Sequence, residues 1–170
     1  AKLNNLKQAA KTMNFLTEYG ISNYGELESK LAALSARRDT AHAEIKRVES
    51  RSTELALVMK HAGTYRQLKP LYDRYRKSND KEKFLRGHES EIILFEAAAR
   101  ELKRLGAVPL PTTESMKTEL ANLNAEKERL LSEYKTARSV AQEYETVKQN
   151  VDALLAVPKE QEQQRRHELE

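Results

Sequence analysis

The chain has 170 residues, 39% hydrophobic and 33% charged, with a mean hydropathy of -0.78. Three phenylalanines, no tryptophan, five glycines and four prolines are too few large apolar and turn residues for a sheet protein. The composition therefore predicts an all-α chain of long helices with much exposed surface. The absence of cysteine excludes disulfides and thiolate metal sites. No apolar run reaches the length of a membrane span and no signal-peptide pattern opens the chain, so a cytoplasmic protein is expected. The start at Ala1 and the closing Leu169-Glu170, which suits a cloning remnant, predict a piece excised from something larger.

Taken in order, the first predicted helix covers about residues 2–19. Leu3, Leu6, Ala10, Met13 and Leu16 or Phe15 recur at helical spacing, and Gly20 follows where a left-handed cap would end the helix. Asn23 with Glu26 three residues on resembles a capping box opening a second helix, over about 24–62. Its Leu27, Leu31, Leu34, Arg38, Ala41, Ile45, Val48, Ser52, Leu55, Met59 and Ala62 alternate spacings of four and three, a coiled-coil seam. Gly63 and Pro70 interrupt the pattern, so a shorter helix over about 66–77 is expected to restart after the break.

Ser78-Asn79-Asp80 reads as a turn, with Asp80 capping a helix over about 81–105. That helix carries Leu85, Ile92, Phe95, Ala99, Leu102 and Leu105 on one side, and Gly87 invites a bend. Gly106 followed by Pro109 and Pro111 ends it. Thr112 or Thr113 caps the last long helix, over about 113–156. Its seam is Met116, Leu120, Leu123, Lys127, Leu130, Tyr134, Ala137, Ala141, Tyr144, Lys148, Val151 and Leu155. Pro158 is expected to stop it, leaving 158–170 as a polar, disordered tail. Two seams of similar length predict one elongated domain over 1–157: a long antiparallel helical hairpin with shorter helices packed at one end. A monomeric hairpin is favoured over a homodimer.

Nothing in the sequence resembles an active site. His42, His61, His88 and His167 are scattered, no glycine-rich phosphate loop is present, and acids such as Glu89/Glu91 splay to different helix faces. His88 and Glu91 share a face, but two ligands make no metal site, so no metal and no cofactor is expected. Arg38, Ser52, Lys127 and Lys148 in the seams read as register devices or snorkelling side chains.

The net charge of +4 is unevenly distributed. Nine basic residues, Lys60, Arg66, Lys69, Arg74, Arg76, Lys77, Lys81, Lys83 and Arg86, face only Asp73, Asp80 and Glu82 between Lys60 and Arg86. That stretch holds more positive charge than the whole chain, as phosphate binding would require. Tyrosines are interleaved with it. Tyr65, Leu68, Tyr72 and Tyr75 are spaced three, four and three apart, which predicts the apolar face of a helix. The same mixture of rings and cations also occurs where bases stack on protein. The nine cations are the candidate nucleic-acid-binding residues.

KEKFLRGHESEIILFEAAARELKRLG and the following VPLPTTESMKTELANLNAEKERLLSEYKTAR resemble the helical region carboxy-terminal to the nuclease domain in relaxases of Gram-positive mobile elements. The opening NNLKQAAKTMNFLTEYGISNYGELESKLAALSARRDTAHAEIK fits the start of that region, and Lys83 to Ile92 carries the most specific part. The resemblance implies a bacterial mobilisation protein acting on transfer-origin DNA. The tyrosine nucleophile and histidine-bound metal of such relaxases have no counterpart here. What it implies is therefore a non-catalytic accessory domain that grips DNA or docks onto other relaxosome proteins. The alternative is a coiled-coil spacer or protein-interaction module that binds no DNA.

Overall fold

The computed structural model describes residues 2–167, with side chains described for residues 4–156. The described residues form four α-helices: α1 (Lys2–Glu18), α2 (Tyr24–Lys77), α3 (Lys81–Arg104) and α4 (Thr113–His167). There is no strand among the described residues. No helix among them is long and apolar enough to cross a membrane.

Local chemistry sets the helix ends. At the end of α1, Gly20 takes φ +61°, which lets the Ile21 N–H donate to the Leu16 carbonyl at 2.8 Å and the Gly20 N–H to Thr17 at 3.2 Å. The same motif closes α3: Gly106 at φ +69°, Ala107 N–H to Leu102 at 2.9 Å and Gly106 N–H to Lys103 at 3.1 Å. In both places the residue after the glycine, Ile21 or Ala107, is buried, so the cap also anchors the outgoing chain. Asn23 Oδ1 accepts from the Glu26 N–H at 2.9 Å, and Glu26 returns a carboxylate oxygen to the Ser22 N–H at 2.7 Å. Asp80 Oδ1 accepts from the Lys83 N–H at 3.0 Å. Of the two candidate threonines before α4, Thr112 is the cap, accepting from the Ser115 N–H at 3.1 Å.

Three expectations about helix continuity need correction. The helices expected over 24–62 and 66–77 are one helix, with Pro70 inside α2. Proline's fixed φ suits a helix, and what it removes is the bond to the carbonyl four residues back, that of Arg66. Tyr65 and Tyr72, on either side of Pro70, both rest on Phe95 of α3, and this packing holds the helix together across the missing bond. Pro158 likewise does not end α4, which runs on to His167; residues 168–170 of the expected tail lie outside the described residues. The bend sought at Gly87 falls one residue later, at His88, where φ -139° and ψ 25° leave the helical region.

The chain divides into two compact units, residues 1–43 with 130–170, and residues 44–129. In the first, α2 and α4 run antiparallel, with Tyr24 donating to Asp152 at 2.6 Å and His42 lying 5.7 Å from Tyr134 between ring centroids. Its core gathers Ile21, Leu27, Tyr144 and Val147, with Phe15, Leu16, Leu31, Leu34, Val140 and Val151 packed around them. Leu27 is only 1% exposed, and burying such a side chain contributes about 1.5–3 kcal/mol.

Of the apolar stripe expected on α1, only its end at Leu16 and Phe15 meets the core. Leu6 and Met13 are 73% and 60% exposed and Ala10 is exposed, while the side chain of Leu3 lies outside the described residues. Phe15 and Leu16 face the core as expected, and beside them it is the covered Thr12, not Met13 or Ala10, that turns inward. The reason is a partner the sequence pattern cannot show. Phe15 and Tyr19 meet Tyr144 edge-on at 5.0 and 5.8 Å. Asn150 donates to Thr12 at 3.3 Å and accepts from Gln8 at 2.6 Å.

In the second unit α2, α3 and α4 share a core of Val48, Leu55, Val58, Ala62, Ile92, Phe95, Ala98, Leu102 and Met116, all at most 5% exposed. Antiparallel pairing of α2 with α4 is visible in the ion pairs Arg47–Glu126 at 3.0 Å and Arg51–Glu119 at 2.7 Å. Across both long helices every seam residue except Leu155 is buried or half-buried. Polar seam members find partners at the rim: Lys127 meets Glu49 at 2.7 Å, Lys148 meets Asp152 at 3.1 Å and Arg38 meets Asp39 at 2.9 Å.

Candidate nucleic-acid interface

The candidate surface belongs to the second unit and is built on the antiparallel pair formed by the end of α2 and α3. Tyr65, Leu68, Tyr72 and Tyr75 form a half-buried face of α2. Phe95, 5% exposed, lies against Tyr65 at 4.8 Å and Tyr72 at 4.2 Å, with ring planes within 25° of parallel in both cases. Tyr75 meets Phe84 at 6.1 Å nearer the turn, and the Tyr72 hydroxyl reaches Glu96 at 3.5 Å. The tyrosine rings therefore line the α3-facing side of α2, half-buried, as their spacing implies.

The nine cations do not form one cluster. Lys60 lies about 25 Å along α2 from Lys77. Arg66 donates to Thr113 Oγ1 at 2.9 Å and to the Pro111 carbonyl, tying α2 to the segment that leads into α4. Contacts between residues so far apart leave no mark on the sequence pattern. Lys69 pairs with Asp73 at 2.9 Å, one turn away, and the hydrogen bond to that carboxylate holds its ammonium above the usual lysine pKa.

The remaining six flank the Ser78–Asp80 turn: Arg74, Arg76 and Lys77 in the last turn of α2, Lys81, Lys83 and Arg86 at the start of α3. All six are exposed. Arg86 approaches Glu82 at 3.9 Å, with side chains 79% and 88% exposed, a geometry that holds neither residue firmly. The other five make no ion pair among the described residues.

The two halves of this cluster differ in what the fold asks of them. Cations in the last turn of α2 face the negative end of its dipole and stabilise it. Lys81 and Lys83 face the positive end of α3, where each opposes the dipole, and the Asp80 cap and Glu82 offset them. Helix stability explains the first group and not the second.

His88 occupies the kink of α3, its ring 4.7 Å from Phe84 and its Nδ1 3.7 Å from a Glu91 carboxylate oxygen. Nδ1 itself is covered and has no hydrogen-bond partner. Among the described residues no three His, Asp or Glu side chains gather in a ligand set. Comparison of the chain with protein-family models, with curated proteins and with solved structures returns no match.

Proposed function

We propose that the chain is a non-catalytic helical accessory domain that binds DNA through its phosphate backbone, using the cations on both sides of the Ser78–Asp80 turn. One observation carries this reading: Lys81 and Lys83 stand exposed at a helix N-terminus, where positive charge weakens the helix, and a polyanion is what would reward it. The KFLRGHESEI stretch, Lys83 to Ile92, lies in this same helix, and its resemblance supports a domain of a conjugative relaxase or mobilisation protein, active during plasmid or mobile-element transfer. Phosphate contacts of this kind position a protein without selecting sequence.

Fluorescence anisotropy with transfer-origin DNA tests it. Binding should show a salt slope near -5 if about six phosphates are neutralised. Replacing Arg74, Arg76 and Lys77 by Ala should weaken binding equally for unrelated sequences and flatten the slope by about three. Unchanged affinity in that variant would remove the site assignment.

The second reading, a protein-interaction or spacer module without DNA binding, is favoured by the exposed Leu6 and Met13 of α1. It predicts no DNA affinity, together with self-association visible in sedimentation equilibrium and lost on replacing Leu6 and Met13 by Gln.

A further inference from the structure

The rings interleaved with the cations would, in a binder of unpaired strands, be the platforms on which bases stack. In this helix pair they are half-buried, and each is turned towards another ring. Phe95 is flanked by Tyr65 and Tyr72, the Tyr72 hydroxyl is held at Glu96, and Tyr75 packs towards Phe84 and Tyr72. What projects from the turn is charge alone.

That charge is arranged in two rows. Arg74 and Lys77 are three residues apart on α2, and Lys83 and Arg86 are three apart on α3, so each pair lies along one side of its helix. Packed helices lie about 8–10 Å apart, a separation comparable to the groove widths of B-DNA, about 6 and 12 Å. Long, flexible cations carried on two packed helices suit the two phosphate rows that border a groove. An unpaired strand offers one row and requires a stacking surface that is not free.

We infer that the cationic turn between α2 and α3 binds double-stranded rather than single-stranded DNA, by straddling a groove with one row of cations from each helix and with no base stacking. This rests on the DNA-binding reading above and narrows it to a ligand class.

The experiment measures anisotropy of the full chain with a short labelled duplex and with each of its separated strands at one salt concentration. The duplex should bind at least about tenfold more tightly and with the steeper salt slope, because its charge per unit length is higher. Tyr75→Leu, checked for native helicity by circular dichroism, should leave duplex affinity within about twofold, since stacking on that ring would make its loss a five- to hundredfold drop. Separated strands binding as tightly as the duplex, or losing affinity in Tyr75→Leu, would overturn the duplex assignment while leaving DNA binding intact. No binding of either form would overturn the DNA reading itself, and this inference with it.

Discussion

Two stretches of α2 in the second unit carry arginines of the same kind to different ends. Arg47 and Arg51 are each bracketed by carboxylates, Glu44 and Glu126 for one, Glu54 and Glu119 for the other, all within 3.0 Å. Their charge is neutralised on the helix surface, and hydrogen bonds to these glutamates hold both guanidinium groups above their ordinary pKa. Arg74 and Arg76, seven turns further on, have no such neighbours among the described residues. A cationic residue count would rate the two stretches alike. The partners across the helix pair separate charge that the fold consumes from charge left for a ligand.

The comparison breaks most severely if the ring stack under the turn is removed. Phe95→Ala should destabilise the second unit by about 3–5 kcal/mol, seen as a lowered thermal midpoint by circular dichroism, because a fully buried ring leaves a cavity between Tyr65 and Tyr72. A loss below about 1 kcal/mol would show that the stack does not hold the helix pair.

Charge reversal sharpens it. Lys81→Glu with Lys83→Glu should raise stability by about 0.3–1 kcal/mol per site at low salt, through the α3 dipole, while weakening DNA binding. Opposite signs in one variant are the signature of residues kept for a ligand; a fall in both quantities would point to an intrachain role for the lysines. Arg47→Ala with Arg51→Ala is the mirror experiment. It should lower stability only slightly, an effect that salt screens, with DNA affinity unchanged.

The smallest effect lies in the first unit. Asp152 is hydrogen-bonded by Tyr24 and by Lys148, which together lower its carboxyl pKa. The unfolded chain binds that proton more readily, so the contribution is complete above the ordinary carboxylate pKa, about 3.9, and is lost as pH falls through the depressed native value. Asp152→Asn should therefore lower the thermal midpoint at neutral pH and narrow the gap between neutral and acidic midpoints. An unchanged gap would mean that the contact leaves no trace in stability.

Much of this architecture is readable from residues alone. The caps at Asn23, Asp80 and Thr112 and the turns at Gly20 and Gly106 involve partners within five residues, so their grammar is local. The two seams follow from period, and Val58 and Val147 are the buried residues that strict heptads omit. Of the candidate site, the concentration of charge and the apolar role of the tyrosines were legible. The subtraction of Arg66 and Lys69 was less so: Arg66 is satisfied across the unit, and Lys69 by a neighbour whose approach depends on rotamer.

That the protein is helical, which caps open α2, α3 and α4, and that positive charge gathers around one turn are legible in the residues, because hydrogen bonds and periodicity act over three to five of them. Which residues of α1 turn inward, that α2 passes through Pro70, and which cations remain exposed follow from contacts between distant segments. Each of those depends on a side chain from a distant segment: Tyr144 against Phe15, Phe95 beneath Tyr65 and Tyr72, Thr113 beside Arg66. Burial and charge pairing are settled by what lies opposite, and the partner opposite is a property of the fold.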